Sequence, residues 1–263
     1  MAFRRTEWLI ANKPDQTLFG LVPAGRYVVG GPEHFESGCE PFPVQLSAYY
    51  LALHPVTNDQ YRRFIAATSH PFPRCFRAGL PGERVWDRST FPEDEKDHPV
   101  VGVRMEDALA YCDWAEVRLP TELEWEAAAR GVEGNVYPWG PSWDRERCRH
   151  DENRRQETTA EIWSHGEGCG TFGHYQLAGN VWEWCADAYE PDAYKRYRRG
   201  DFSAPKGRER VVRGGSWFNL TPEDFRTTFR LSLSPGEADR HYGFRVARDV
   251  APRTKASTRA TTP

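Results

Sequence analysis

The stretch HPVVGVRMEDALAYCDWAEVRLPTELEWEAAARG, residues 98–131, carries two helix signatures in succession. From about Met105 to Val117, Ala108, Tyr111, Cys112 and Ala115 fall on one face of a 3.6-residue period, which predicts a helix with one buried side. Pro120 breaks that pattern. Thr121 followed by Glu124 is then a capping box, in which a hydroxyl and a carboxylate satisfy orphan backbone N–H groups at a helix start. Leu123, Ala127 and Ala128 continue this second helix until Gly131 ends it. The two helices are expected to pack together.

Outward from this stretch, the same device recurs upstream: Thr57 with Gln60 is a capping box, and Tyr61, Phe64 and Ile65 place a helix over roughly 58–67. Residues 18–54 read as extended, with breaks at Pro23, Gly25 and Gly30 and alternation at Val44, Leu46 and Tyr50, and predict a hairpin-like pair of strands. Residues 69–98 hold Pro71, Pro73, Pro81 and Pro92 with no sustained period, a long surface loop. Downstream, 131–173 is irregular with Trp139, Trp143 and Trp163 as anchors, and strands are expected at 209–213, around 225–231 and at 242–248. With no internal repeat and no linker, one domain spans 18–250, between an N-terminal extension at 1–17 and a disordered basic tail at 251–263.

Composition narrows the classes. A net charge of -3 with interspersed signs lacks the basic footprint of a nucleic-acid binder. No apolar run approaches the ~20 residues of a membrane span, and the N-terminus lacks the apolar stretch of a signal peptide, so a soluble, cytoplasmic protein is expected. Ten Trp, 22 Gly and 20 Pro predict loops pinned by large aromatics. The six cysteines form no Cys-x-x-Cys pair and read as reduced, buried thiols, and the eight histidines show no ligand spacing on one element.

Five segments in order resemble the formylglycine-generating enzyme or sulfatase-modifying-factor family. They are PAGRYVVGG (23–31), HPVTNDQY (54–61), the stretch 98–131 with YPWG (137–140), GHYQLAGNVWEW (173–184), and RVVRGGSW (210–217) leading to YGFRVAR (242–248). The resemblance implies an α+β fold, an elaborated C-type-lectin-like domain with a small antiparallel sheet, few helices and much irregular structure. Within these motifs Arg118, Thr121, Glu122, Glu124 and Trp125 read as caps and anchors of helices, and Trp182 and Trp184 as core.

In catalytic members, two cysteines shortly after the Gly-Gly-Ser-aromatic motif bind copper. Here Asn219 and Asp224 stand at those positions. Their hard oxygen donors do not suit Cu(I), so no copper and no formylglycine formation are expected. A family disulfide is likewise missing, since the counterpart of Cys112 is Val246. The resemblance also implies a calcium site on Gln176, Gly179, Val181 and Glu183, with Gln176 where a shorter Asn or Asp is usual. Trp182 and Ser216 match residues lining the family's substrate cleft, although a tight glycine turn on a packed sheet would look the same.

Three functions follow as expectations. The first is a non-catalytic module that binds another protein or a peptide, with no nucleic acid and no membrane. Its cleft would be formed by Trp182, Ser216, Trp217, Phe218, Asn219, Asp224, Phe225, His241 and Tyr242, with Leu220 and Glu223 beside them. Variable proteins of diversity-generating retroelements, which are similar in this C-terminal stretch, use it for recognition. The second is a cysteine-independent, non-haem-iron enzyme drawing ligands from Glu223, Asp224 and His241. The third is an assembly subunit that binds through the loop at 69–98.

Overall fold

The computed structural model describes residues 7–31, 39–75, 83–86, 90–154 and 158–250. The expected disordered tail at 251–263 lies outside these residues, as does part of the loop at 69–98. Two four-stranded sheets, two two-stranded pairs and four α-helices organise the described residues. Strands β1 (Leu9–Ala11), β2 (Leu18–Val22), β3 (Gly25–Val29), β4 (Phe42–Leu46) and β5 (Tyr49–Ala52) precede helix α1 (Asn58–Thr68). The short pair β6 (Arg74–Cys75) and β7 (Glu83–Arg84) leads to α2 (Met105–Ala115) and α3 (Glu122–Arg130). Then come β8 (Trp182–Ala188), α4 (Ala193–Arg198), β9 (Arg210–Arg213), β10 (Leu231–Leu233), β11 (Tyr242–Gly243) and β12 (Ala247–Asp249).

The extended region at 18–54 is more than one hairpin. β2 pairs antiparallel with β5, and a separate β3–β4 hairpin is inserted between them. One sheet runs β1-β2-β5-β12 and the other β10-β9-β8-β11. β1 lies within the stretch read as an N-terminal extension, and Asn12, Asp15 and Thr17 behind it are buried. Ordered structure therefore starts ahead of residue 18.

The segment expected to be one strand over 242–248 serves both sheets. β11 pairs parallel with β8, and β12 pairs antiparallel with β5. Between them Phe244, Arg245 and Val246 are buried, so the chain crosses from sheet to sheet through the core. The strand expected around 225–231 begins only at Leu231; Phe225 instead closes a 3₁₀ turn, Pro222–Phe225.

The helix starts follow the sequence. Thr57 Oγ1 accepts from Gln60 N while Gln60 Oε1 accepts from Thr57 N, and Thr121 and Glu124 reciprocate in the same way. α2 stops at Glu116, which takes left-handed backbone at φ 56 so that Val117 N bonds back to Cys112 O. The two helices of the opening stretch separate. Tyr111 of α2 joins α1 residues Tyr61 and Phe64 in one core cluster, whereas Trp125 of α3 joins Tyr27, Tyr49 and Tyr194 in another. The loop after α1 is also less superficial than its prolines suggest: Trp86 and Phe91 are buried, and Trp86 Nε1 donates to Asn58 Oδ1 at 3.1 Å. All six cysteines are free thiols; four are buried, and Cys112 and Val246 share one core cluster.

Two consequences are measurable. Thr121→Ala removes a hydroxyl that caps α3, and lowers stability by about 1 kcal/mol, read as a lower urea midpoint at unchanged slope. Acid weakens the fold through buried imidazoles. Burial pushes His54 down to about 4 and, helped by the charge of Arg245, His174 down to about 3. Unfolded histidine titrates near ~6.5, so below that pH the unfolded chain binds more protons and stability falls. The urea midpoint decreases steadily as the pH is lowered from ~6.5 towards ~4; a flat profile over that window contradicts the assignment.

Candidate functional site

β9 delivers the chain into the Gly214-Gly215 turn, where both residues have positive φ, 102° and 75°. A Cβ on Gly215 would lie 2.7 Å from the ring of Phe225, so glycine is needed both for the conformation and for the close approach. Beyond it Ser216 and Asn219 lock the next turn. Ser216 N and Oγ both donate to Asn219 Oδ1, at 2.9 and 2.8 Å, and Asn219 N donates to Ser216 O at 3.1 Å. Trp217 N donates to Asn180 O at 3.0 Å, its indole donates to Arg240 O at 2.8 Å, and the Arg154 guanidinium lies 5.1 Å from its ring centre.

This fixed turn leaves two apolar side chains in solvent, Phe218 at 60% and Leu220 at 58% exposure. Phe218 stacks on His241, with centroids 5.6 Å apart and planes at 17°, and His241 in turn contacts Tyr242 at 4.2 Å. Phe218, His241 and Tyr242 therefore form an aromatic ledge on a rigid base, and Leu220 is exposed two residues after Phe218.

The expected cleft residues divide into two groups. Phe218, His241 and Tyr242 form the ledge, with Asn219 as its lock, while Trp182, Ser216 and Trp217 are buried beneath or behind it. Phe225 was expected at the surface and is instead fully buried, stacked on Trp143 at 5.0 Å, because the side-chain-free face of Gly215 admits its ring. Asp224 is half-buried and accepts from Thr221 Oγ1 within its own turn at 3.0 Å. Glu223 pairs with Arg226 at 3.0 Å. The three candidate iron ligands thus face different partners, and among the described residues no three His, Cys, Asp or Glu side chains converge in a way that could hold a metal ion.

The segment 176–183 is a structural network. Glu183 is fully buried, and its carboxylate accepts from Arg245 Nε and Nη2 at 2.6 and 2.7 Å and from Trp125 Nε1 at 2.7 Å. Gln176 donates through Nε2 to Glu161 O at 2.8 Å and accepts through Oε1 from Asn180 Nδ2 at 2.7 Å. Gly179 O accepts from Val181 N at 3.0 Å. With its charge already matched by a buried guanidinium, Glu183 is a poor calcium ligand, and this donor set does not fit the ion. Gly179 is glycine for another reason: a Cβ there would meet Arg149 O at 2.4 Å.

Asn180 is the organising residue that the sequence left without a role. Its side chain accepts from Ala160 N at 2.9 Å and donates to Ala160 O at 3.0 Å, while its carbonyl holds Trp217. The signal for it was its position after Gly179 in left-handed backbone, φ 68, which asparagine tolerates better than most residues.

Residues 10–250 match the sulfatase-modifying factor enzyme 1-like domain. The chain belongs to that family. Among its relatives, the formylglycine-generating enzyme of Thermomonospora curvata is 33% identical over 90% of this chain and 96% of that protein. The serine/threonine-protein kinase Pkn1 of Chlamydia trachomatis is 35% identical over 92% of this chain, which spans 40% of the kinase's length. In fold, the sulfatase-modifying-factor domain superposes on PvdO from Pseudomonas aeruginosa with a TM-score of 0.78 at 20% identity, covering 94% of this chain and 99% of that one. It superposes on variable protein 1 of Treponema denticola with a TM-score of 0.70 at 22% identity, covering 92% and 98%. Among the described residues, no helix is long and apolar enough to cross a membrane.

Chelation separates a structural network from a calcium site. Adding EGTA or millimolar calcium shifts the melting temperature by less than about 1 °C, because a ligand that binds only the folded state would raise it with concentration. By contrast Arg245→Met strands the buried Glu183 carboxylate and destabilises the domain by roughly 3–5 kcal/mol. A calcium-dependent rise of several degrees overturns the first expectation.

Proposed function

We propose that this sulfatase-modifying-factor domain is a non-catalytic, cytoplasmic binding module whose ledge of Phe218, His241 and Tyr242, with the exposed Leu220, receives a peptide segment of another protein. The observation that carries the reading is the combination of an exposed apolar ledge with a locked turn beneath it. Interfaces draw most of their energy from a few aromatic and aliphatic anchors, and a surface that is already ordered loses little entropy on binding. Chemistry of the family's copper type needs two soft sulfurs, and at the corresponding positions Asn219 locks the ledge while Asp224 binds Thr221. The cytoplasmic placement rests on the six free thiols.

The kinase named among the relatives does not carry its activity here, because the chain contains neither an H-R-D catalytic loop nor a D-F-G motif. A finer version of the proposal, in which residues 217–242 vary between copies as in a diversified recognition protein, requires a reverse transcriptase gene and a template repeat beside the gene.

The test is affinity capture from the source organism with the wild-type chain and with Phe218→Ser/Leu220→Ser. Both side chains are exposed, so the variant keeps its melting temperature. Each anchor removed weakens a specific partner by about 2 kcal/mol, roughly 30-fold. Retention of the partner by the folded variant sinks the proposal. So does oxidation of a cysteine peptide by the purified chain supplied with Cu(I) and dioxygen.

A further inference from the structure

We infer that the face formed by α4 and the loop after it binds single-stranded nucleic acid, with Phe202 as the platform on which a base stacks. The net charge of -3 averages over an uneven chain. Residues 189–210 hold seven Lys or Arg against four Asp or Glu, a local surplus of three positive charges, so the balance of the whole chain does not describe this face. Three of the four carboxylates are engaged within the fold. Glu190 accepts from Arg196 Nε and Nη2 at 3.0 Å each and from Lys206 N at 3.1 Å. Asp192 pairs with Lys195 at 2.9 Å, and Asp201 accepts from Ser203 N at 2.9 Å and lies 3.3 Å from Arg196. Glu209 alone is left against Arg198, Arg199, Lys206 and Arg208, which are exposed and form no ion pair among the described residues. Arg198 reaches the Cys39 thiol but no carboxylate.

The same contacts hold the loop in one shape. Arg196 Nη1 donates to Asp201 O, Ser203 O and Ser203 Oγ, each at 2.9 Å, and Gly207 passes so close to Tyr189 that a Cβ there would lie 2.4 Å from its carbonyl oxygen. On this base Phe202 lies flat against the buried Tyr197, with ring centres 5.5 Å apart and planes at 8°, yet it is 54% exposed. One face of the ring is therefore supported and the other makes no ring contact among the described residues. The cations call for a polyanion, and the ring selects among polyanions. An aromatic that anchors a protein to a bilayer buries its ring in the headgroup boundary, whereas this ring is laid down on its support. An acidic peptide would meet the cations but brings no planar group to the open face. A single strand supplies both, a phosphate and an unstacked base in every nucleotide. In a duplex the base faces already cover one another.

The experiment is fluorescence polarisation of a labelled oligothymidylate of about 20 nucleotides, titrated with the full chain over a series of salt concentrations. The wild type is expected to bind, with an affinity that falls as salt rises. Phe202→Ala weakens binding at least about fivefold and leaves the salt slope unchanged, because stacking releases no counterions. Phe202→Trp keeps the affinity. Arg199→Ala/Arg208→Ala instead flattens the slope, by about 0.7 for each cation removed. All of these side chains are exposed, so circular dichroism remains that of the wild type. A chain that leaves the oligonucleotide free at about 100 μM in low salt overturns the inference. Equal affinity of Phe202→Ala overturns it too, since the ring is then idle. So does equally tight binding of labelled polyglutamate or of phosphatidylserine vesicles, which makes the face a general anion surface.

Discussion

Three arginines without solvent exposure, Arg213, Arg230 and Arg245, each meet a buried glutamate at 2.6 Å, Glu126, Glu122 and Glu183 respectively. Isolated charges in such a position would be prohibitively desolvated, and only multiple, well-aimed hydrogen bonds make them tolerable. Here they are supplied. Glu126 also accepts from Tyr194 Oη at 2.6 Å and Gly30 N at 2.7 Å, while Arg213 donates to Thr227 O at 2.7 Å. Desolvation would push the Glu126 carboxyl up, but Arg213 and Arg130 hold it below the usual carboxylate range. The planar guanidinium suits this duty because it also stacks: Arg213 lies 5.3 Å from the Trp125 ring centre, and Arg230 lies 4.6 Å from that of Tyr194.

The network matters because it joins segments that regular structure alone would leave loosely held. α3 supplies Glu122 and Glu126, β8 supplies Glu183, β9 ends on Arg213, and Arg245 comes from the crossing between β11 and β12. Trp125 bridges two of the pairs, giving its indole N–H to Glu183 and its face to Arg213. With β9 anchored at Arg213, the double-glycine turn and the Ser216–Asn219 lock start from a fixed point. The ledge thereby inherits its rigidity from buried electrostatics at Arg213, five residues before Phe218.

What could be read in the sequence follows the range of each interaction. Caps act over three residues, so Thr57 with Gln60 and Thr121 with Glu124 announce their helices, and β9 falls within a residue of its expected start. Glu122 looked like another helix-start residue, yet its partner Arg230 stands 108 positions away. Phe225 reads as exposed because nothing local shows that Gly215 leaves room for its ring. Trp163, expected as an anchor, is 40% exposed and makes T-shaped contacts with His54 and Tyr175. The candidate cleft was legible in the exposure of Phe218. It was not legible in its support, since Asn180 works through Ala160 and Trp217 across long separations.

At the two positions where the resemblance sets the family's cysteines, Asn219 and Asp224 have local structural roles of their own. A carboxamide at 219 accepts from both the amide and the hydroxyl of Ser216, which closes the turn with directional bonds. A thiol is a weak acceptor and would close the same turn poorly. Asn219 thus stiffens the backbone under Phe218. An ordered backbone beneath an exposed apolar side chain loses little entropy on binding, which is the property that the proposed binding role needs.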